Sequence, residues 1–205
     1  MVTQDIKPVG NPTFFQDRLY HFQALRTLSG TCSGSADIAE CLMTISKIRE
    51  GDDESWFSEW RALAVQVEQQ AIEYEKNAHH LSASSAYSRA SNYYRTCEFF
   101  LHINPNDPRI LQNWKKSKEC FLSAMKYFPH PISEIKIPFE NTHLPSYLCL
   151  SDSSNAVKPL LIVQTGFDGT QEELYFAIVK GALLRGYNCL TFEGPGQGAP
   201  LREQG

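Results

Sequence analysis

The sequence predicts an α/β protein in which a helical region comes first and a sheet follows. Apolar residues recur every three or four positions from about residue 13 to 128, and they alternate from about residue 132 onward. The later part also contains one strand–helix–strand unit, between residues 159 and 192. We therefore expect two domains, a helical one over residues 1–130 and a sheet-based one over residues 131–205.

The helical region is predicted from amphipathic spacing and from residues that begin helices. Asp37 is placed to cap one helix, and Pro108 is placed at the first position of another. A further helix is predicted from Leu81 to about Ile103. The clearest amphipathic stripe has apolar side chains at spacings of three and four, and consists of Trp56, Trp60, Leu63, Val67, Ala71 and Tyr74.

The sheet-based region begins with two strands, at about residues 132–139 and 144–150, that we expect to pair antiparallel. Leu160 to Val163 is apolar at every position, which is typical of a strand buried on both faces of a parallel sheet. Asn188 to Phe192 predicts the next buried strand. Between them lies a helix with apolar residues at helical spacing, namely Leu174, Ala177, Ile178, Gly181 and Leu184.

The loop at Gly166–Gly169 lies between a predicted strand and a predicted helix. Thr170 and Glu173 have the spacing of a capping box, so the helix begins directly after this loop. Backbone N–H groups at such a helix start are free to hold an anion. The same residues also fit a plain connection between strand and helix, and the loop alone does not decide between the two.

Composition excludes several classes of protein. The chain has 205 residues, 42% of them hydrophobic and 20% charged, with a formal net charge of -4, which is typical of a globular protein without a nucleic-acid partner. No apolar run approaches the roughly 20 residues of a membrane span. The first residues lack the basic start and apolar core of a secretory signal, so we expect a cytoplasmic location.

Cysteine and histidine patterns give no cofactor or metal site. The six cysteines show no CxxC spacing, and we expect reduced, mostly buried thiols. Cys32 lies in a Gly-x-Cys-x-Gly pattern, but a nucleophile elbow needs a preceding strand, and the segment before Cys32 is predicted to be helical. Residues 194–198 read Gly-x-Gly-x-Gly, which differs from the dinucleotide fingerprint. We expect no cofactor and no metal.

Two pairs of segments resemble a known group of enzymes. GFDGTQEELYF at residues 166–176 and FEGPGQG at residues 192–198 are similar to turns of the α/β-hydrolase superfamily. SWFSEWRALA at 55–64 and YSRASNYYRTCEFFLH at 87–102 resemble the helical cap of one hydrolase group. This group includes the 2,6-dihydroxypseudooxynicotine hydrolases and the fungal hydrolases that shorten polyketide precursors in pigment (melanin pathway) synthesis.

The resemblance implies an N-terminal helical cap domain followed by the first half of an α/β-hydrolase sheet, truncated at residue 205. It implies the N-terminal part of a serine hydrolase that acts on a ketone, at a carbon–carbon bond, or on an ester. Because no G-x-S-x-G occurs, the nucleophile–His–acid triad is expected beyond Gly205, and the 205-residue chain itself is expected to be inactive. The alternative is a non-catalytic small-molecule-binding or regulatory protein on the same fold.

Site residues follow from the same resemblance. The backbone N–H of Phe167, with Asp168 beside it, is expected to donate to the oxyanion, and Gly166 and Phe167 are expected to contact substrate. Arg89 and Tyr94 on the predicted cap helix are candidate substrate contacts, although such residues more often pack two helices together. The expected partner is a small-molecule substrate, without nucleic acid or membrane, and a homodimer is left open.

Overall fold

The computed structural model describes residues 13–154 and 156–204. Its first part is helical, as the apolar spacing predicts, and no strand lies within the described residues before residue 132. The five α-helices of this part form what we call the helical domain. They are α1 (Arg18–Ser29), α2 (Ile38–Ile45), α3 (Asp53–Lys76), α4 (His80–Cys97) and α5 (Pro108–Met125), with 3-10 turns at Gly30–Cys32 and Phe99–Ile103.

Aspartate side chains begin four of these helices, each by accepting a hydrogen bond from a backbone N–H of the first turn. The expected cap at Asp37 is confirmed, because its carboxylate accepts from the N–H of Glu40. Pro108 occupies the start of α5, also as expected, and Asp107 caps that helix. The other two caps are Asp17 and Asp52.

The core of the helical domain lies between α3 and α4, with α5 packed against α4. Trp56 and Trp60 of the predicted stripe are fully buried, and the indole N–H of Trp56 donates to the carbonyl of Thr96 at 2.8 Å. Tyr74 departs from the prediction because it is 37% exposed near the end of α3. Among the described residues, no helix is both long enough and apolar enough to cross a membrane.

The sheet contains four strands, β1 (Ile132–Phe139), β2 (Thr142–Cys149), β3 (Leu160–Gln164) and β4 (Asn188–Phe192), in the order β1-β2-β4-β3. The expected antiparallel pairing of β1 with β2 is confirmed. β4 runs antiparallel to β2 and parallel to β3. The carboxyl ends of β3 and β4 therefore lie side by side, which is where open α/β sheets bind ligands.

The helix between β3 and β4 spans residues 171–183, and we call it α6. It consists of Gln171–Leu174, a π-helical turn at Tyr175–Val179, and Lys180–Leu183. Its buried face is not the expected stripe, because Ile178 and Leu184 are 43% and 70% exposed. The buried face is a second apolar stripe on the same helix, consisting of Tyr175, Phe176, Val179 and Leu183. Its two aromatic rings pack against Phe121 of α5.

The expectation that β3 is buried on both faces is wrong. Leu160, Leu161 and Ile162 are 51%, 37% and 61% exposed, and only Val163 of the apolar run is buried. The physical reason is position: within the described residues β3 pairs with β4 alone, so it forms an edge of the sheet. An apolar edge strand with open backbone groups is a site for pairing with other chains.

We expect the 205-residue chain to self-associate through this edge, and Ile162→Lys to reduce the association, because a charge on an exposed edge strand opposes pairing. Sedimentation velocity of the wild type and the variant measures this. Met43→Lys is the matched control, since Met43 is 63% exposed on a helix and the change adds the same charge. Equal association of Ile162→Lys and the wild type would contradict the role of β3.

Candidate functional site

Two turns meet at the carboxyl ends of β3 and β4. We call residues 165–170, after β3, the first turn, and residues 193–199, after β4, the second turn. The side chain of Gln197 joins them: its Nε2 donates to the carbonyls of Thr165 and Gly166 at 3.0 and 3.2 Å. Its Oε1 accepts from the N–H of Gly194 at 2.8 Å. The shape of the second turn therefore fixes the position of the first.

The carboxyl group of Glu193 makes a second connection. It is 1% exposed, and its two oxygens accept from the N–H of Gln171, at the start of α6, at 2.9 Å and from the N–H of Ala199 at 2.7 Å. Burial, and next the nearby charge of Glu172, raise the pKa of Glu193 to about 7. This residue was missed by sequence reasoning, although a carboxylate directly after an apolar strand was an available signal.

Glycine is required in both turns by close approach. A Cβ at Gly198 would lie 2.1 Å from the carboxyl carbon of Glu193, and the φ of Gly198 is +30°. A Cβ at Gly169 would lie 2.2 Å from the hydroxyl oxygen of Thr165. The last glycine of the Gly-x-Gly-x-Gly pattern, Gly198, thus makes room for a buried carboxyl group of the chain itself.

A second buried carboxyl group, that of Glu172, lies on α6 beneath the turns. It is 3% exposed and accepts a hydrogen bond from the hydroxyl of Tyr147, on β2, at 2.8 Å. Burial raises the pKa of Glu172. The hydroxyl of Thr191 lies 3.3 Å from the side-chain oxygen of Gln171, so a polar layer separates the sheet from the start of α6.

The helical domain holds the first turn through Arg26 of α1. Its Nη1 lies 2.8 Å from Asp168 Oδ2, while Nε and Nη2 lie 2.7 and 2.5 Å from the two oxygens of Glu173. The buried Arg95 of α4 is 3.9 Å from the same carboxylate. Burial would raise the pKa of Glu173, but the charges of Arg95 and Arg26 outweigh it and hold this pKa below its ordinary value.

The first turn ends at a capped helix, as predicted. Thr170 Oγ1 accepts from the N–H of Glu173 at 3.2 Å. The N–H groups of Phe167 and Asp168, just before the cap, make no hydrogen bond to any residue that the structure describes. These two groups are therefore available to a ligand.

A cavity of about 200 Å³ lies between the first turn and the helical domain. Phe167 and Asp168 are both in its wall, so the structure brings these two predicted residues together. The side chain of Phe167 is 89% exposed, and Asp168 is engaged by Arg26. The wall consists of Glu98, His102, Pro105, Ile110, Trp114, Phe167, Asp168, Gly169, Thr170, Gly198, Leu201 and Arg202.

The other predicted contacts lie elsewhere. Arg89 pairs with Glu40 of α2 at 2.9 Å, and the hydroxyl of Tyr94 donates to Glu68 of α3 at 2.6 Å. Neither is in the cavity wall, and both contacts join helices, which matches the packing alternative. Gly166 is exposed beside the cavity rather than in its wall. The substrate contacts of all three residues stay predictions.

Comparison with known proteins identifies the family. The profile described as "Esterase FrsA-like" matches residues 27–203. The chain belongs to the FrsA-like esterase family. Among its curated relatives, the hydrolase acrC of Aspergillus aculeatus is 40% identical over 94% of this chain and 48% of its own length. The 20-hydroxy-prefusarin hydrolase FUS2 of Gibberella moniliformis is 39% identical over 92% of this chain and 46% of its own length.

The fold is shared with a hydrolase of known structure. The structure of 2,6-dihydroxy-pseudo-oxynicotine hydrolase matches with a TM-score of 0.68 at 21% identity, over 83% of this chain and 46% of that one. The expected resemblance and fold class, a helical domain followed by part of an α/β-hydrolase sheet, are thereby confirmed. The chain spans about half the length of the curated relatives that it matches.

The raised pKa of Glu193 predicts how the stability of the folded chain depends on pH. In the folded chain the pKa of Glu193 is about 7, which is above its ordinary value of 4.5. The protonated carboxyl group therefore gives its full contribution to stability below pH 4.5, and this contribution is lost as the pH rises through 7. Between about pH 5 and about pH 8, we expect the free energy of unfolding of the wild type to fall by on the order of 2 kcal/mol more than that of Glu193→Gln. Urea unfolding at each pH measures the difference.

The control for this measurement is Glu119→Gln, which alters a carboxylate with a 63% exposed side chain on α5. It should keep the pH dependence of the wild type. If Glu193→Gln also keeps it, the buried carboxyl group does not titrate in this range, and the assignment of the raised pKa to Glu193 is wrong.

Proposed function

We propose that this chain forms the helical cap and the oxyanion loop of a serine hydrolase. The observation that carries the proposal is the first turn, which lines a cavity with the unpaired N–H groups of Phe167 and Asp168. Membership of the FrsA-like esterase family and the names of the hydrolase relatives support it. The cavity wall also combines apolar side chains with a few polar groups, as small-molecule sites do.

In the proposed reaction, the nucleophilic serine, histidine and acid belong to the part of the whole protein that corresponds to the remaining length of the relatives. The serine oxygen bonds to the substrate carbonyl carbon, its proton passes to the histidine, and the carbonyl electrons move onto oxygen. The N–H of Phe167, with Asp168 beside it, donates to that oxyanion. The carbonyl then re-forms as the leaving group departs with the proton, and water releases the acyl group.

The substrate class that we propose is a ketone cleaved at a carbon–carbon bond, or an ester. Carbon–carbon cleavage by this route needs a second carbonyl next to the leaving carbon, because the departing carbanion is then stabilised as an enolate. Polyketide chains carry such spaced carbonyls, and we propose shortening of a polyketide precursor in pigment synthesis as the finer assignment. Apolar walls at Ile110, Trp114 and Leu201 suit the carbon skeleton of such a substrate.

Phe167→Pro tests the oxyanion loop, because proline removes the N–H in question. In the whole protein we expect kcat on 4-nitrophenyl butyrate to fall about 100-fold or more, with KM changed by less than about threefold. Phe167→Ala is the matched control, since it keeps the N–H and truncates an exposed side chain. A folded Phe167→Pro protein with unchanged kcat would contradict the assignment.

A second assay tests the bond that is cleaved. We expect the whole protein to hydrolyse 1-phenylbutane-1,3-dione as well as the ester, and Phe167→Pro to reduce both rates by a similar factor, because one oxyanion site serves both reactions. Product analysis by chromatography measures the cleavage. Ester turnover without diketone turnover would contradict the carbon–carbon proposal, and turnover of neither would favour the non-catalytic alternative.

A further inference from the structure

The cavity has a polar end that the reaction described above does not use. It is built by Glu98 at the end of α4, His102 in the following 3-10 turn, and Arg202 in the turn Pro200–Gln204. Nε2 of His102 lies 2.5 Å from Glu98 Oε2 and 2.9 Å from Nη2 of Arg202. These side chains are in direct contact, although His102 and Arg202 are about half a chain apart in sequence.

Arg202 is the cation in this wall without a direct ion pair. Asp168 pairs with Arg26, while the 4% exposed Glu98 contacts the same imidazole nitrogen as Arg202, so its carboxylate is one residue removed from the guanidinium. No carboxylate among the described residues forms an ion pair with Arg202. A guanidinium group has five N–H donors, and its contact with one imidazole nitrogen occupies at most one of them. Donors of Arg202 therefore stay available beside the cavity.

Trp114 lies in the same wall and supplies an apolar ring there. Its side chain is 3% exposed, and its indole N–H, which has no hydrogen-bond partner in the described part of the chain, is itself shut off from solvent. A buried donor left unpaired costs about 1–3 kcal/mol. Two other buried side-chain atoms, on Gln23 and Trp60, also lack partners, but neither residue is in this wall.

We propose that the substrate carries an anionic oxygen group, such as a carboxylate or an ionised enol or phenol, that binds Arg202 at the polar end of the cavity. The proposal rests on the proposed function, since it assigns another part of the same cavity. An anion there gains a charge-assisted hydrogen bond, and the guanidinium plane suits a two-oxygen acceptor. The unsaturated body of such a ligand packs against the ring of Trp114 in the same wall.

Two esters of equal length test the preference for a negative charge. In the whole protein we expect kcat/KM for mono-4-nitrophenyl glutarate to exceed that for 4-nitrophenyl pentanoate by about tenfold or more. Arg202→Leu should reduce this ratio about 10- to 100-fold, and Arg202→Lys should keep part of it, because a point charge replaces a planar pair of donors. Arg185→Leu is the control, because it removes the same charge from an exposed residue just after α6.

A binding measurement separates this inference from the proposed function. Titration calorimetry with benzoate, and with neutral benzyl alcohol, requires no turnover. We expect the wild type to prefer benzoate, and Arg202→Leu to bind it about tenfold more weakly or worse while Arg185→Leu binds it normally. Circular dichroism confirms that each variant is folded.

The outcomes are distinct. Arg202-dependent benzoate binding in a protein that hydrolyses neither ester would sustain the anion site and overturn the hydrolase assignment. Ester hydrolysis that depends on the Phe167 N–H, with benzoate bound no better than benzyl alcohol or bound equally by Arg202→Leu, would overturn the anion site alone.

Discussion

The buried carboxyl group of Glu193 is the contact on which the geometry of the site depends. It accepts from backbone N–H groups on both sides, at the start of α6 and at Ala199, and so fixes the helix and the second turn to the end of β4. Taking a carboxylate out of water is costly, and two N–H donors offset only part of that cost. The remainder is visible as the pKa of Glu193, which burial and Glu172 raise to about 7. The same two hydrogen bonds hold the second turn in one conformation.

A rigid second turn matters because Gln197 transmits its position to the first turn. Two carbonyls of the first turn, those of Thr165 and Gly166, accept from this one amide. On the side of the helical domain, Arg26 of α1 forms ion pairs with Asp168 and Glu173. The first turn is thus held both by the sheet and by the helical domain, so a movement of α1 away from the sheet would break the ion pairs that position it. In the proposed reaction, N–H donors of this turn are effective only if they do not reorient, and the double attachment opposes such a movement.

Much of the fold could be predicted because its signals are local. The change of apolar period, the caps at Asp37 and Thr170, and Pro108 at the first position of a helix each depend on a few neighbouring residues, and each was confirmed. The exposure of β3 could not be predicted from its composition, because burial depends on which strand lies beside it. The choice between two apolar stripes on α6 depends likewise on the aromatic rings that Phe121 offers from another helix.

The site was predictable only in part, for the same reason. Phe167 and Asp168 were singled out by the resemblance of their turn to the oxyanion loop of the α/β hydrolases; the structure places both in the cavity wall, and their role stays a prediction. The polar end of the cavity has no such signal, since His102 and Arg202 are about 100 residues apart and meet only in the folded chain. Arg89 shows the same limit, because the sequence left both a substrate contact and helix packing open, and the structure pairs Arg89 with Glu40 outside the cavity wall.

The N–H groups of Phe167 and Asp168, together with Arg202, give the cavity wall donors that the described residues leave largely unpaired. Unpaired donors lower the stability of the folded chain, so a ligand that brings acceptors to them restores missing hydrogen bonds. The proposed substrate has two such acceptors, the carbonyl oxygen at the first turn and the anionic group at Arg202. Its carbon skeleton packs against Ile110, Trp114 and Leu201. A hydrocarbon of the same size would leave the donors unpaired, so we expect the cavity to discriminate against it.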